Sequence, residues 1–196
     1  MKTMKMPAQI PIMTLPNAIL FPQALLPLYI FEPRYRAMLK KSLEQQRMFA
    51  IAMPGAHTRP RNIGGIGIIR ACVDRPDGTS NLILQGVSRV RFTHFVQKEP
   101  YYVGDIEVLE TQGNNPKQVE AFAARVIQQV NRLHQGGSLD NDGIIKFLNE
   151  LTDYEALADI ITYSFIEDVS RKQAILEELD LCKRLRKVEL ALKKID

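Results

Sequence analysis

Apolar positions along this chain change their period once, near residue 115, from short runs broken by turn residues to stripes spaced by threes and fours. Before the change, Pro16, Pro22 and Pro27 punctuate an apolar stretch, and a residue that lacks an N–H and fixes φ belongs at strand edges and corners. Residues 15–39 therefore read as two extended pieces, Ala18 to Phe21 and Leu25 to Phe31, turning into a helix. Pro33 suits the first helical position, Glu32 stands beside the positive end of the dipole, and Tyr35, Met38, Leu39 and Leu43 supply the apolar stripe. Further strands are expected at Phe49 to Met53, Ile66 to Val73, Asn81 to Val87, Val90 to Val96 and Tyr102 to Leu109. Arg75-Pro76-Asp77-Gly78-Thr79 carries the residues of a tight reversal, so the second and third of these should form a hairpin. Val90, Phe92 and His94 fall on one face of the fourth. Short strands with Gly and Pro corners imply an antiparallel barrel, closed or nearly so, because closure removes exposed edges.

After Gly113-Asn114-Asn115 the pattern is helical. Asn115 can cap with Pro116 at the first position, and Val119, Phe122, Val126, Val130 and Leu133 form one stripe that ends at Gln135-Gly136-Gly137. Asp140 is expected to open a short helix carrying Ile144, Ile145 and Leu148. Thr152 with Glu155, and Ser170 with Gln173, have capping-box spacing ahead of two more helices. Leu181, Leu185, Val188, Leu192 and Ile195 mark a last one. The expected division is a barrel over residues 1–114 and a helical bundle over 115–196, an α+β chain.

Composition narrows the class. The 196 residues are 45% hydrophobic and 24% charged, ordinary for a water-soluble protein, and no run approaches the roughly 20 apolar residues of a membrane span. The start lacks the continuous apolar core of a signal peptide, and Cys72 and Cys182 lie far apart without metal spacing, which favours free thiols in a cytoplasmic setting. Charge is uneven: residues 1–112 carry +6 and residues 113–196 carry −2. A basic front half could attract nucleic acid or acidic protein segments.

Catalytic signatures are missing. No GxxxxGK[ST] phosphate loop and no GxSxG elbow occur, and His57, His94 and His134 lack ligand spacing to one another or to a cysteine. Gly64-Gly65-Ile66-Gly67 precedes a strand instead of opening a helix, so it reads as a flexible barrel corner. No residue is expected to be catalytic, and no cofactor or metal is expected. All seven methionines fall between Met1 and Met53, and the flexible thioether suits surfaces that accept varied apolar partners. Met38 and Met48 read as packing, which leaves Met4, Met6, Met13 and Met53. The polar loop 54–62 joins two strands, and loops on a rigid barrel often carry binding. Met13, Met53, His57, Arg59 and Arg61 are therefore the candidate contacts for polypeptide.

The first block has a recognisable order: Leu20-Phe21-Pro22, Leu26-Pro27-Leu28, Ile30-Phe31-Glu32, Arg34-Tyr35-Arg36 and Met38. It resembles the opening motif of the N-terminal substrate-binding domain of Lon protease, a domain shared with cereblon-like proteins and small stand-alone bacterial members. The resemblance continues through the QGVSRVRF segment and the helical pattern from Lys172-Gln173 to Leu185. It departs at Gln23, where the family usually has Gly. Within the motif, Phe21, Pro22, Pro27, Phe31, Glu32, Arg34 and Tyr35 are expected to be structural, Tyr29 and Phe31 packing barrel against helix and Glu32 pairing with Arg34 or Arg36.

What the resemblance implies is a PUA-like barrel with an inserted helix, followed by a helical bundle, stripped of the family's ATPase and peptidase. Its expected role is non-catalytic: holding unfolded or apolar polypeptide by edge-strand addition or in an apolar groove, as adaptor, chaperone-like holder or regulator of proteolysis. A protease or ATPase in trans is left open as partner. The alternative is an RNA-binding PUA-like protein, whose affinity would fall steeply with salt.

Overall fold

A computed structural model describes residues 6–113, 115–139 and 141–195. They fall into two compact units, Met1–Leu109 and Glu110–Asp196. The first holds β1 (Gln9–Thr14), β2 (Leu25–Ile30), α1 (Pro33–Glu44), β3 (Met48–Ala52), β4 (Ile63–Asp74), β5 (Ser80–Gln97) and β6 (Tyr102–Leu109). Neighbours run β2-β5-β4-β3-β1-β6, and β6 also pairs with β5, so five strands close a ring and β2 is added outside it on β5. One pairing departs from the antiparallel expectation. β1 lies parallel to β3, Ile12 opposite Ala50, because the intervening chain crosses over through β2 and α1. β1 itself is not announced by the pattern, since Pro11 reads as a breaker; it sits opposite Val103.

Two expected strands are one. Ser88-Arg89 has no turn chemistry, and β5 runs for 18 residues, changing partners along its length. Its start pairs with β2 and β4 and its end with β6, and register shifts at Phe92/His94 and Phe95/Gln97 bend it. The first shift also breaks the alternation. His94 turns outward, and Phe95 packs inside against Phe92 and Tyr102, with ring centroids 6.1 and 5.6 Å away.

Ala18 to Phe21 is not a strand. Ile19, Leu20 and Phe21 are buried, and their backbone lies so close to β4 and β5 that a Cβ on Gly65 would fall on the Leu20 carbonyl oxygen and one on Gly86 on the Phe21 carbonyl oxygen. The Gly64-Gly65-Ile66-Gly67 run is thus strand interior instead of a corner, its missing side chains making room for a crossing segment. Gln23 then turns the chain at φ 64°, its N–H donating to the Gly86 carbonyl at 2.9 Å. That left-handed conformation explains why glycine is usual at the matching family position.

α1 begins at Pro33 as expected and buries Tyr35, Met38 and Leu39. The Tyr35 hydroxyl bonds both backbone groups of Thr14 at 3.1 Å, tying helix to β1. Leu20, Tyr35, Met38, Phe49 and Leu84 centre one core cluster; Ile10, Ile12, Ile66, Val90 and Phe92 centre another.

The second unit holds α2 (Pro116–Gln135), α3 (Asp142–Glu150), α4 (Tyr154–Phe165), α5 (Val169–Leu176) and α6 (Leu181–Leu192). Asn115 caps α2 through the Gln118 amide, and the helix ends with Gly137 at φ 78° and the Ser138 N–H donating to Leu133, as the pattern predicts. Three caps differ from expectation. Asn141 caps α3, while Asp140 lies outside the described residues; Asp153 caps α4 in place of Thr152, and Asp168 caps α5 in place of Ser170. In the latter two cases a nearby aspartate accepts the first-turn amides with a charged oxygen, a stronger acceptor than a hydroxyl. Arg184 is fully buried, its guanidinium donating to the Glu178 carbonyl at 2.7 Å and to Thr111 Oγ1 at 3.0 Å.

Candidate functional site

β2 alternates cleanly. Leu26, Leu28 and Ile30 face the core cluster around Leu84 and Tyr35, so Leu25, Pro27, Tyr29 and the following Phe31 face away from it. Sheet register continues this outward face across three strands, Tyr29 beside Asn81 beside Val73, and Pro27 beside Ile83 beside Ala71. The large apolar members are open to solvent: Leu25 54%, Tyr29 49%, Phe31 56% and Val73 65% exposed. Between them lies a shallow groove of about 450 Å³ lined by Pro27, Tyr29, Ala71, Val73 and Ile83 among others. A grouped apolar patch of this kind marks an interaction surface, unlike scattered single residues.

The aromatic rings are organised. Tyr29 and Phe31 stack with centroids 5.7 Å apart, and the Arg75 guanidinium lies 5.4 Å from the Tyr29 ring centre. Arg75 is held by the hairpin turn, where its N–H donates to Thr79 at 2.8 Å and the Asp77 carboxylate accepts from the Thr79 amide at 2.9 Å. That carboxyl is held below its usual range chiefly by the Thr79 hydroxyl and amide. Phe31 and Tyr29 therefore do not pack barrel against helix, contrary to the expectation from the motif. The chain needs only one phase of β2 to cover α1, and the other phase stays outside.

The edge of β2 carries a second signal. The Gly86 N–H donates to the Ala24 carbonyl at 2.8 Å, which sets the phase in which Ala24, Leu26, Leu28 and Ile30 point their backbone groups at β5. Pro27, in the opposite phase, stands where an N–H would face outward, and it has none. A proline there blunts the edge against strand addition.

The other expected contacts are elsewhere. Met13 is core, 2% exposed, and lines no open surface. Met53, His57, Arg59 and Arg61 do come together, in a loop closed by Gly55 N–H to Arg59 at 2.7 Å and Arg61 N–H to Met53 at 2.8 Å. His57 takes φ 54° there, and Arg59 lies 4.6 Å over the Phe95 ring. That loop precedes β4, whereas the apolar face lies at the far end of β4, next to the turn. Met6 is half-buried against the second cluster, and Met4 lies outside the described residues. Of the motif residues, Phe21 and Tyr35 are buried, and Glu32 pairs with Arg34 at 2.8 Å on the surface. The outward face had a readable signal: LLPLYIF is apolar in both strand phases, so one face had to be left over once the other was packed.

Little in the first unit supports covalent chemistry. Burial pushes the Cys72 thiol up, and the Asp74 carboxylate adds to the effect, the reverse of nucleophile activation. Among the described residues no group of three or more His, Cys, Asp or Glu is placed to hold a metal, and no helix is long and apolar enough to cross a membrane.

Comparison with known proteins places these features. The family profile described as the ATP-dependent protease La (LON) substrate-binding domain matches residues 9–194. A Lon protease of Dictyoglomus thermophilum is 27% identical over 197 residues, covering 95% of this chain and 24% of that protein. Lon protease 2 of Herpetosiphon aurantiacus is 26% identical, covering 94% and 23%. The chain thus spans about a quarter of the length of the curated relatives it matches. Among solved structures, the N-terminal domain of a Mycobacterium avium complex Lon protease is similar in fold, with TM-score 0.79 and 19% identity over 95% of this chain and 98% of that one. A Lon N-terminal domain protein from Xanthomonas campestris gives TM-score 0.68 and 18% identity over 92% and 96%.

Proposed function

Because the chain belongs to the family of the Lon substrate-binding domain, we propose that it is a non-catalytic module that holds unfolded or apolar polypeptide segments on the outward face of β2, β5 and β4. Its role is that of an adaptor or regulator of proteolysis, acting with a protease or ATPase that supplies unfolding and cleavage. The observation that supports this reading is the solvent-open apolar row of Leu25, Tyr29, Phe31 and Val73, of which Tyr29 and Val73 line one groove. Folding leaves these side chains about half outside, so covering the remainder of each would contribute about 1 kcal/mol and is available to a partner. Pro27 selects between the two binding modes a sheet can offer. Side chains on the face grip the segment; the backbone edge does not extend the sheet.

The test is binding of a permanently unfolded, reduced and carboxymethylated protein, followed by fluorescence anisotropy at low and high salt. Tyr29→Ser with Val73→Ser should weaken it roughly tenfold while the thermal midpoint holds, because both side chains are exposed. Binding should change little with salt. Unchanged affinity in the double variant overturns the site. Retention of structured RNA at low salt only, with no client bound, overturns the function in favour of nucleic acid.

A further inference from the structure

The second unit carries an independent surface. Lys187, Leu190 and Lys194 stand at i, i+3 and i+7 along α6 and its C-terminal extension, a spacing that puts them on one face, about 10 Å of backbone rise from first to last. Leu190 is 53% exposed. With Ala174 and Ile175 of α5 it forms the floor of a groove of about 240 Å³, and the charged residues lining that groove are Arg171, Lys187 and Lys194, with no carboxylate among them. A larger cleft of about 620 Å³ shares Arg171, Ala191 and Lys194 with it but is also lined by Glu167 and Asp168, so the stretch free of lining carboxylates is confined to the smaller groove between Lys187 and Lys194.

The charge is segregated. From Lys183 to Lys194 there are six basic residues and one acidic, Glu189, whereas Glu110 to Asp180 holds six basic and thirteen acidic. Two of the rim cations are anchored: Lys187 bonds Glu178 at 2.9 Å and the Ala174 carbonyl at 3.1 Å, and Arg171 meets Asp168 at 3.4 Å. Their aliphatic stems therefore hold still beside Leu190, as rims of a built groove.

We propose that this α5–α6 groove docks an acidic amphipathic helix of a partner protein, an apolar side chain seating on Leu190 and Ile175 while carboxylates one turn to either side meet Lys187 and Lys194. Charge complementarity selects the occupant: cation, apolar residue, cation along one helical face is matched by carboxylate, apolar residue, carboxylate at the same spacing. The groove lies on the second unit and shares no residue with the apolar face on β2 of the first.

The test uses a synthetic helical peptide repeating Glu-x-x-Leu-x-x-x-Glu, a twin with Gln for Glu, a single-stranded RNA oligonucleotide and phosphatidylglycerol vesicles. The Glu peptide should bind the wild-type chain saturably and weaken with salt, and the Gln twin should bind roughly tenfold more weakly. Leu190→Ser with Lys194→Gln should lower affinity for the Glu peptide by a similar factor while the helical circular-dichroism spectrum stays that of the wild type. Tyr29→Ser with Val73→Ser should leave it unaltered, which separates this surface from the first. Equal binding of the two peptides, indifference to the α6 substitutions, or binding of RNA or vesicles that the Glu peptide does not displace overturns the proposal.

Discussion

The carbonyl oxygen of Leu20 occupies the space that a Cβ on Gly65 would need, and Phe21 stands in the same relation to Gly86. Both contacts are backbone on backbone, so neither side can step aside by changing a rotamer. Gly65→Ala and Gly86→Ala should each cost on the order of 3 kcal/mol or prevent folding. Gly143→Ala, in the first turn of α3 where a Cβ would meet only Asn141 Oδ1 at an ordinary 3.9 Å, should instead stabilise by up to about 1 kcal/mol. Urea unfolding of the variants checks both signs.

Gln23 pays for its left-handed turn with strain that glycine would not have. At φ 64° the penalty for a side chain is about 1–2 kcal/mol, offset in part by the roughly 0.5–1 kcal/mol of extra unfolded-chain entropy that Gly brings. Gln23→Gly should therefore raise stability by up to about 1 kcal/mol. A lower thermal midpoint would count against the turn as described.

Pro27→Val restores an outward N–H in the middle of the β2 edge without touching the buried phase. The variant should self-associate at concentrations where the wild type does not, seen as a rising weight-average mass in sedimentation. No change in mass would mean that other features guard the edge.

Asp153 accepts from the amides of Glu155 and Ala156 at 3.0 and 3.1 Å, while Glu155 reaches Thr111 instead of folding back as a capping box would require. Asp153→Ala should cost about 1 kcal/mol, and Thr152→Ala close to nothing. The reverse order in chemical denaturation would restore the box.

The Arg171 amide, followed by the guanidinium of Arg171, the Ser170 amide and Lys194, holds the Asp168 carboxyl below its usual range. A carboxylate depressed by folding lends stability that is fully present above its unfolded value of about 3.9 and is lost as pH falls through the folded value. The thermal midpoint should therefore drop between about pH 4 and 2, and Asp168→Asn, which keeps the acceptor oxygen without the charge, should flatten that drop. Parallel pH profiles of wild type and variant measure it.

The sequence carried the elements whose signals are local. Pro33, Asn115-Pro116, the turn at Asp77-Gly78 and the stripes on α1, α2 and α6 all act within a few residues of themselves. What escaped it depends on partners distant in the chain. Ser88-Arg89 carries no sign that β5 continues, because a strand that changes neighbours is continuous only in the assembled sheet. Gly64 to Gly67 looked like a corner because the segment that needs their missing side chains, Leu20-Phe21, lies some 45 residues earlier. The candidate site was half legible. The sequence points to an apolar groove without locating it: Met13 is in the core, and the loop with His57 and Arg59 stands at the opposite end of β4 from the apolar face. The outward phase of LLPLYIF was read as packing, since alternation shows that two faces exist but not which one finds a neighbour.

β5 has strands on both sides over Ser80–Gln85, where they are β2 and β4, and again over Arg89–Arg91, where they are β4 and β6. Its amides there alternate between two ladders, so detaching the stretch means opening both, and it should be among the last segments to exchange hydrogen. A polypeptide held on the proposed face would lie beside Tyr29 of β2 and Val73 of β4, the two strands that flank this stretch of β5. Tension on that cargo is shared around a closed ring before it can peel the grip away.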